Sequence, residues 1–361
     1  MKVVCVCNTF YQLIMAMQLK NTIKKSDEFT VIVTDCTKNT KNYYDKLSEM
    51  KYFEHIYFFR QDSLFENVKK GIIKRSYKVI FRTVKYTLFG KNICGLPKGE
   101  KYDELIYFND HAFTQFLYSY LRRKNRRITC NLYEEGLLCY SYTHRFIDKY
   151  VRKTCKLFRT KNIITAPKGF YCYNPSLYSG NLKPIEVPKL DDKSELNGLF
   201  NKMFLDGKPL GDYKEKYIYF PSVYDIDFPK PLGELDLAKK IADAVGSENL
   251  LVKVHPRDDP KRFISEGLKV DTNSDLPWEV IQMNYDFSNN VFLTVLSGSV
   301  INLASMKDNA PQVYVMFPLV DLEQNEMAKG FSIYLTELLK NDNLPKIKIM
   351  KNIEEIKERL K

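Results

Sequence analysis

The sequence predicts an α/β protein made of two Rossmann-like, doubly wound domains facing across a cleft. Three observations carry that prediction. In the first 150 residues, short apolar runs alternate with amphipathic helical segments, the pattern of a parallel sheet with crossover helices. The alternation lapses over residues 153–210, which hold Pro167, Pro175, Pro184, Pro188 and Pro209. It then resumes and runs to the end of a 361-residue chain, a length that suits two domains. We therefore place a first domain at 1–210, with an irregular extension and linker at 153–210, and a second at 211–361.

The elements follow in order. Residues 3–7 (VVCVC) are the first strand, apolar throughout. Asn8-Thr9 supplies a helix cap ahead of an amphipathic segment at 11–24. Further strands are expected at 29–34, 55–59, 104–108 and 128–133. In the second half, strands at 217–220, 249–254, 268–271, 291–296, 312–316 and 346–350 alternate with helices. Those helices are placed at 234–245, from 277 onward, and at 299–306, 325–339 and 353–360. Ligands of open parallel sheets bind outside the carboxyl ends of the strands, so the strand exits are where chemistry is expected.

Composition narrows the class. Hydrophobic residues make up 44% and charged residues 28%, a balance that buries a full core. With only 15 Gly and 15 Pro, collagen-like and disordered classes are excluded. No apolar run reaches the roughly 18 residues of a membrane span. The opening MKVVCVCNTFYQLIMAM is interrupted by Asn8, Thr9, Tyr11 and Gln12 and lacks the marks of a signal peptide. The eight cysteines form no C-x-x-C pair and sit mostly in apolar contexts, which predicts reduced thiols and a cytoplasmic location.

A net charge of +12 predicts an acidic partner. Lys and Arg concentrate at 69–91 and in RRKNRR at 122–127. The first run interleaves cations with Ile, Val, Phe and Tyr at helical spacing, as an interfacial helix does, and predicts peripheral contact with an anionic membrane. Zinc-finger, RNP and KH patterns are absent, so no nucleic acid partner is expected.

Four strand exits carry candidate residues. After the fifth strand comes Glu134-Glu135-Gly136, where close carboxylates raise one pKa toward that of a general base. After the strand at 249–254 comes His255-Pro256-Arg257, preceded by Lys253; cations beside an imidazole suit a departing phosphate. Ser297-Gly298-Ser299 leads a strand into a helix N-terminus, whose N–H groups attract anions. Asp225 and Asp227 form a D-x-D after the first strand of the second half. With no His or Cys cluster beside it, that pair reads as carboxylates of the site or a polar loop rather than as a metal centre.

These pieces together resemble the bacterial sialyltransferases of glycosyltransferase family 52, the lipooligosaccharide group. The opening Asn8-Thr9-Phe10-Tyr11-Gln12 resembles the family's T-P-L-Q start, with Phe-Tyr in place of Pro-Leu. Glu134-Glu135-Gly136 resembles its acidic-acidic-Gly motif, and His255-Pro256 its HP motif, in the same order. The resemblance implies a GT-B fold and inverting transfer of sialic acid from CMP-sialic acid to a sugar hydroxyl, galactose by preference, of a bacterial surface glycan or glycolipid. It implies no metal, and no cofactor is expected; the basic segment 69–91 places the expected location in the cytoplasm, at the inner face of the cell membrane, and a homodimer stays open. His255 takes the place of the general acid at the CMP phosphate. The base is Glu134 or Glu135, or, by the closer resemblance, Asp225 or Asp227. Lys253, Pro256, Arg257, Ser297, Gly298, Ser299, Thr9 and Gln12 would line the donor site, with Glu279 on a ribose hydroxyl.

Two other functions stay open at this stage. One is a transferase of the same fold using a UDP- or GDP-sugar in capsule or lipid-linked glycan assembly. The other is a non-catalytic protein whose basic surface binds anionic lipid or polymer.

Overall fold

The computed structural model describes residues 1–36, 40–61, 81, 84–108, 112–141, 153, 155–190, 195–205, 207, 210–222, 224–227, 231–255, 257–271, 276–301, 310–323, 325–340, 344–352 and 354–360. They form two compact units. One comprises Met1–Glu135 and Thr143–Lys189, the other Gly136–Tyr142 and Leu190–Lys361.

The first unit is built on a seven-stranded sheet, with all pairs parallel, in the order β3-β2-β1-β4-β5-β6-β7. Strands β1 (Lys2–Cys7), β2 (Glu28–Thr34), β3 (His55–Phe59), β4 (Glu104–Tyr107) and β5 (Thr129–Tyr133) fall where the apolar runs place them. β1 sits between β2 and β4 and is buried from Val3 to Cys7, which is why it reads as an unbroken apolar run rather than an alternating one. Helix α1 (Phe10–Asn21) is buried at every position from Gln12 to Leu19, as a helix pressed into a core must be. Its N-terminus is fixed by Thr9, whose Oγ1 accepts from Gln12 N. Helices α2 (Thr40–Met50) and α3 (Ala112–Lys124) are amphipathic crossovers of the same sheet.

Two strands were hidden in the proline-rich stretch: β6 (Pro167–Cys172) and β7 (Lys183–Glu186). Pro167 is the first residue of its strand and Pro184 lies on the sheet's edge strand, the two places where a missing N–H is tolerated. Gly169 is needed in β6, because a Cβ there would lie 2.7 Å from Ile185 Cδ1 and 3.0 Å from Asn131 Oδ1. These strands carry the first unit to Lys189, so the boundary falls near 190 rather than 210. The following short helix Glu195–Phe200 belongs to the second unit, where it packs beside the helix at Trp278–Asn284.

The second unit holds a five-stranded parallel sheet in the order β12-β11-β10-β8-β9. Its strands are β8 (Tyr217–Phe220), β9 (Leu250–Val252), β10 (Val291–Thr294), β11 (Gln312–Val315) and β12 (Ile347–Ile349). The strand expected at 268–271 is reduced to a single bridge, Val252 to Val270. Helices α4 (Glu234–Val245), α5 (Trp278–Asn284) and α6 (Glu326–Lys340) cover the sheet. Trp278 packs edge-on to Tyr213 and Phe220, inside a cluster completed by Phe287 and Phe292. The basic segment 69–91 lies largely outside the described residues, which include only Phe81 and 84–91 of it.

Candidate active site at the strand exits

Each sheet reverses its strand order at one point, between β1 and β4 in the first and between β8 and β10 in the second. The sequence-predicted residues fall at or beside those two points. In the first unit β1 and β5 are separated by β4, so their exits stand about 10 Å apart. Side chains span the gap. Thr9 Oγ1 donates to Glu135 Oε1 at 2.9 Å, and Tyr11 OH donates to Glu134 Oε1 at 2.6 Å. Gln12 hydrogen-bonds Glu135 as well, while its Oε1 accepts from Asn8 N at 2.7 Å.

The geometry separates two carboxylates that the sequence leaves equivalent. Glu134 is 2% exposed, with Oε1 on Tyr11 and Oε2 accepting from Tyr173 N at 2.9 Å. It ties α1 to the exits of β5 and β6. Glu135 is only partly covered, yet protein packed around its carboxyl raises its pKa to about 7 against the pull of the Thr9 and Gln12 hydrogen bonds. A carboxylate whose pKa is raised toward neutrality can accept a proton from a hydroxyl.

In the second unit the exits of β9, β8 and β10 stand side by side. His255 follows β9, and the backbone N–H of Arg257 donates to its Nδ1 at 3.1 Å. The neutral ring therefore carries its proton on Nε2, as a donor. Arg257 is exposed beside it, and Pro256 lies outside the described residues. Ser297 and Ser299 follow β10 with their hydroxyls 3.0 Å apart. Between them a Cβ on Gly298 would meet nothing within 4 Å, so this corner is open to a ligand.

Three expectations change. Lys253, expected on the donor phosphate, has its ammonium buried on Asp271 at 3.0 Å, both side chains less than a tenth exposed. The same ammonium lowers the pKa of Glu279, which burial in the first turn of α5 raises more strongly. Asp225 is unsuited to act as a base. Its Oδ1 accepts from Leu232 N at 2.5 Å, and its Oδ2 from Glu234 N at 3.2 Å and Arg262 Nη2 at 3.3 Å. Three donors on a side chain 3% exposed make it a staple between loops. Asp227 ends the short helix Tyr224–Asp227, and its side chain lies outside the described part.

The sequence reading missed Glu234 and Arg262. Glu234 is buried with both oxygens on Ser222: Ser222 N at 3.0 and 3.1 Å, and Ser222 Oγ at 2.8 Å. Burial and the nearby Asp225 raise its pKa to about 7 against those bonds. Its one sequence signal, an acid following Gly233 at a helix start, is also the ordinary mark of a helix N-terminus. Arg262 joins Asp225 to Asp258, with Nη1 2.9 Å from both Asp258 oxygens, and Asp258 N donates to His255 O at 2.8 Å. The His255 turn is thereby fastened to the β8 exit.

Two all-parallel, doubly wound units with polar residues at their switch points are the GT-B arrangement of glycosyltransferases and nucleotide-sugar epimerases. Residues 3–289 match the model of the family described as Alpha-2,8-polysialyltransferase (POLYST), and the chain belongs to that family of sialyltransferases. Among curated proteins none matches it. Among solved structures, LpCGTa in complex with UDP is similar at 10% identity and TM-score 0.50, over 99% of this chain and 89% of that one. UDP-GlcNAc 2-epimerase from Methanocaldococcus jannaschii is similar at 12% identity and TM-score 0.49, over 99% of this chain and 91% of that one. CalG4, the calicheamicin glycosyltransferase, gives 11% identity and TM-score 0.49 over 99% and 89%. At such identities the likeness concerns the fold. The protein is a GT-B glycosyltransferase whose matched family is that of the polysialyltransferases.

Proposed function

We propose that the enzyme transfers sialic acid from CMP-sialic acid to a sugar hydroxyl of a bacterial surface glycan, with inversion and without a metal. Glu135 is the general base and His255 the group on the leaving phosphate. The observation that carries this reading is Glu135, a carboxylate that follows β5, bonds across to Thr9 after β1, and has its pKa raised by burial to about 7.

Glu135 takes the proton of the acceptor hydroxyl as that oxygen forms its bond to the anomeric carbon. The bond from that carbon to the CMP phosphate oxygen breaks with its electron pair. His255 meets the charge growing on phosphate through its Nε2–H, and Arg257 and the Ser297–Ser299 hydroxyls add donors around it. Glu134 positions rather than reacts, because both its oxygens are already engaged. The family's description favours a hydroxyl of another sialic acid as acceptor, and a galactose hydroxyl is the second reading. The reading includes a cytoplasmic location.

The test compares Glu135→Gln with Asp225→Asn in transfer from CMP-sialic acid. Glu135→Gln should lose 10²–10⁴-fold in kcat, the usual worth of a general base, while still binding CMP. Full transfer by Glu135→Gln would remove the assignment.

A further inference from the structure

Excess positive charge in the first unit is confined to three connections. Residues 67–99, 111–133 and 149–185 hold 9, 5 and 8 Lys and Arg respectively, and not one Asp or Glu. The topology brings described parts of them together. Chain order runs outward from β1 through β2 to β3, then from β4 through β5 to β6 on the other side. With right-handed crossovers, α3 and the segment after β5 cover the face opposite α1 and α2. The stretch at 84–89 joins them: Tyr86 packs on Phe116 of α3, with centroids 5.2 Å apart, and Arg123 donates to Phe89 O. On the other flank Gln115 of α3 accepts from Ile163 N at 3.0 Å and reaches Lys161 O.

This basic face also presents large apolar side chains to solvent. Phe89 is 63% exposed, Leu157 76% and Phe158 47%. They are not loosely placed. The turn holding Leu157 and Phe158 is closed by Thr160 N on Cys155 O at 3.0 Å, and buried Cys155 and Ile163 root it in the unit. Arg159 adopts φ 49°, an uncommon conformation for a side-chain-bearing residue, at the end of that turn.

We propose that this face docks on an anionic lipid bilayer, with Leu157, Phe158 and Phe89 entering the headgroup layer while Lys156, Arg159 and Arg123 engage lipid phosphates. Basic charge alone would fit any polyanion. Three exposed hydrophobes on it are an expense that only a partner with an apolar layer under its charges repays. Basic residues close to such a surface add to the attraction, and salt weakens that part. This surface is independent of the catalytic assignment and consists of residues outside the candidate site.

The experiment is co-sedimentation of the full chain with vesicles of phosphatidylcholine containing about one third phosphatidylserine, against pure phosphatidylcholine. Wild type should sediment with the anionic vesicles only, and less at high salt. Leu157→Ser combined with Phe158→Ser should lower the partition about tenfold or more, with melting temperature and transfer to a soluble acceptor unchanged. Equal sedimentation of the double variant and wild type would overturn the proposal. So would retention on heparin without binding to vesicles, which would mark a polyanion surface instead. Because vesicle binding is read without catalysis, a failure here leaves the transferase reading standing.

Discussion

Glu135 and Glu234 share an unusual condition: each is a carboxyl that burial lifts from its ordinary value to about 7. A raised carboxyl contributes stability in its protonated form, fully present below its unfolded pKa and lost as pH rises through about 7. The melting temperature should therefore fall as pH climbs from 5 to 8, and for one such group the effect is on the order of 3 kcal/mol. Transfer should move the other way, since Glu135 must be ionised to accept a proton. We expect kcat to rise through pH 7 and then level off, and Glu135→Gln to melt higher than wild type at pH 8 while losing transfer. A flat melting temperature across this range in wild type would contradict the burial argument. His255 gives a second prediction at this scale. With Arg257 and the serine hydroxyls proposed to hold the ground state, His255→Ala should lower kcat by about 10²–10⁴-fold with CMP affinity nearly kept. An affinity loss as large as the kcat loss would make His255 a binding group instead.

At the scale of elements, the loops of the second unit are held by charges that the sequence reading assigned to chemistry. Lys253 and Asp271 are a buried pair supported by Tyr213 OH at 3.2 Å from Asp271 Oδ2. Removing one partner strands the other, so Asp271→Asn should cost about 3–5 kcal/mol in urea unfolding. A change below 1 kcal/mol would mean that water reaches the pair. Asp225→Asn should likewise lower the melting temperature and leave the pH dependence of transfer unaltered, because it staples the α4 start to Arg262. The reason these roles were illegible is physical. Lys253 pairs with Asp271, 18 positions away in sequence, and Asp225 with Arg262, 37 positions away, and spacing encodes no such partner. Strands β1, β4, β5 and β8 were legible because burial on both faces leaves an apolar run. β7, exposed at three of four positions on the edge, leaves none.

At the scale of the whole molecule, the repeat of alternating strands and helices revealed two doubly wound units, and the three short motifs fell at strand exits in both. What no motif carried was which nucleotide the second unit prefers, since base recognition depends on shape around the sheet's exits rather than on a signature. That question separates CMP-sialic acid from a UDP- or GDP-sugar. A ligand that binds only the native state raises the unfolding free energy by about 2.7 kcal/mol at a hundredfold excess over its Kd. CMP should therefore raise the melting temperature clearly, and UMP and GMP at the same concentration should raise it little. The shift should survive EDTA if, as proposed, the donors around the phosphate are His255, Arg257 and hydroxyl groups rather than a metal. It should vanish in a Gly298→Leu variant, whose side chain would enter the open corner between Ser297 and Ser299. A larger shift with UMP or GMP than with CMP would reassign the donor while leaving the fold and the base in place.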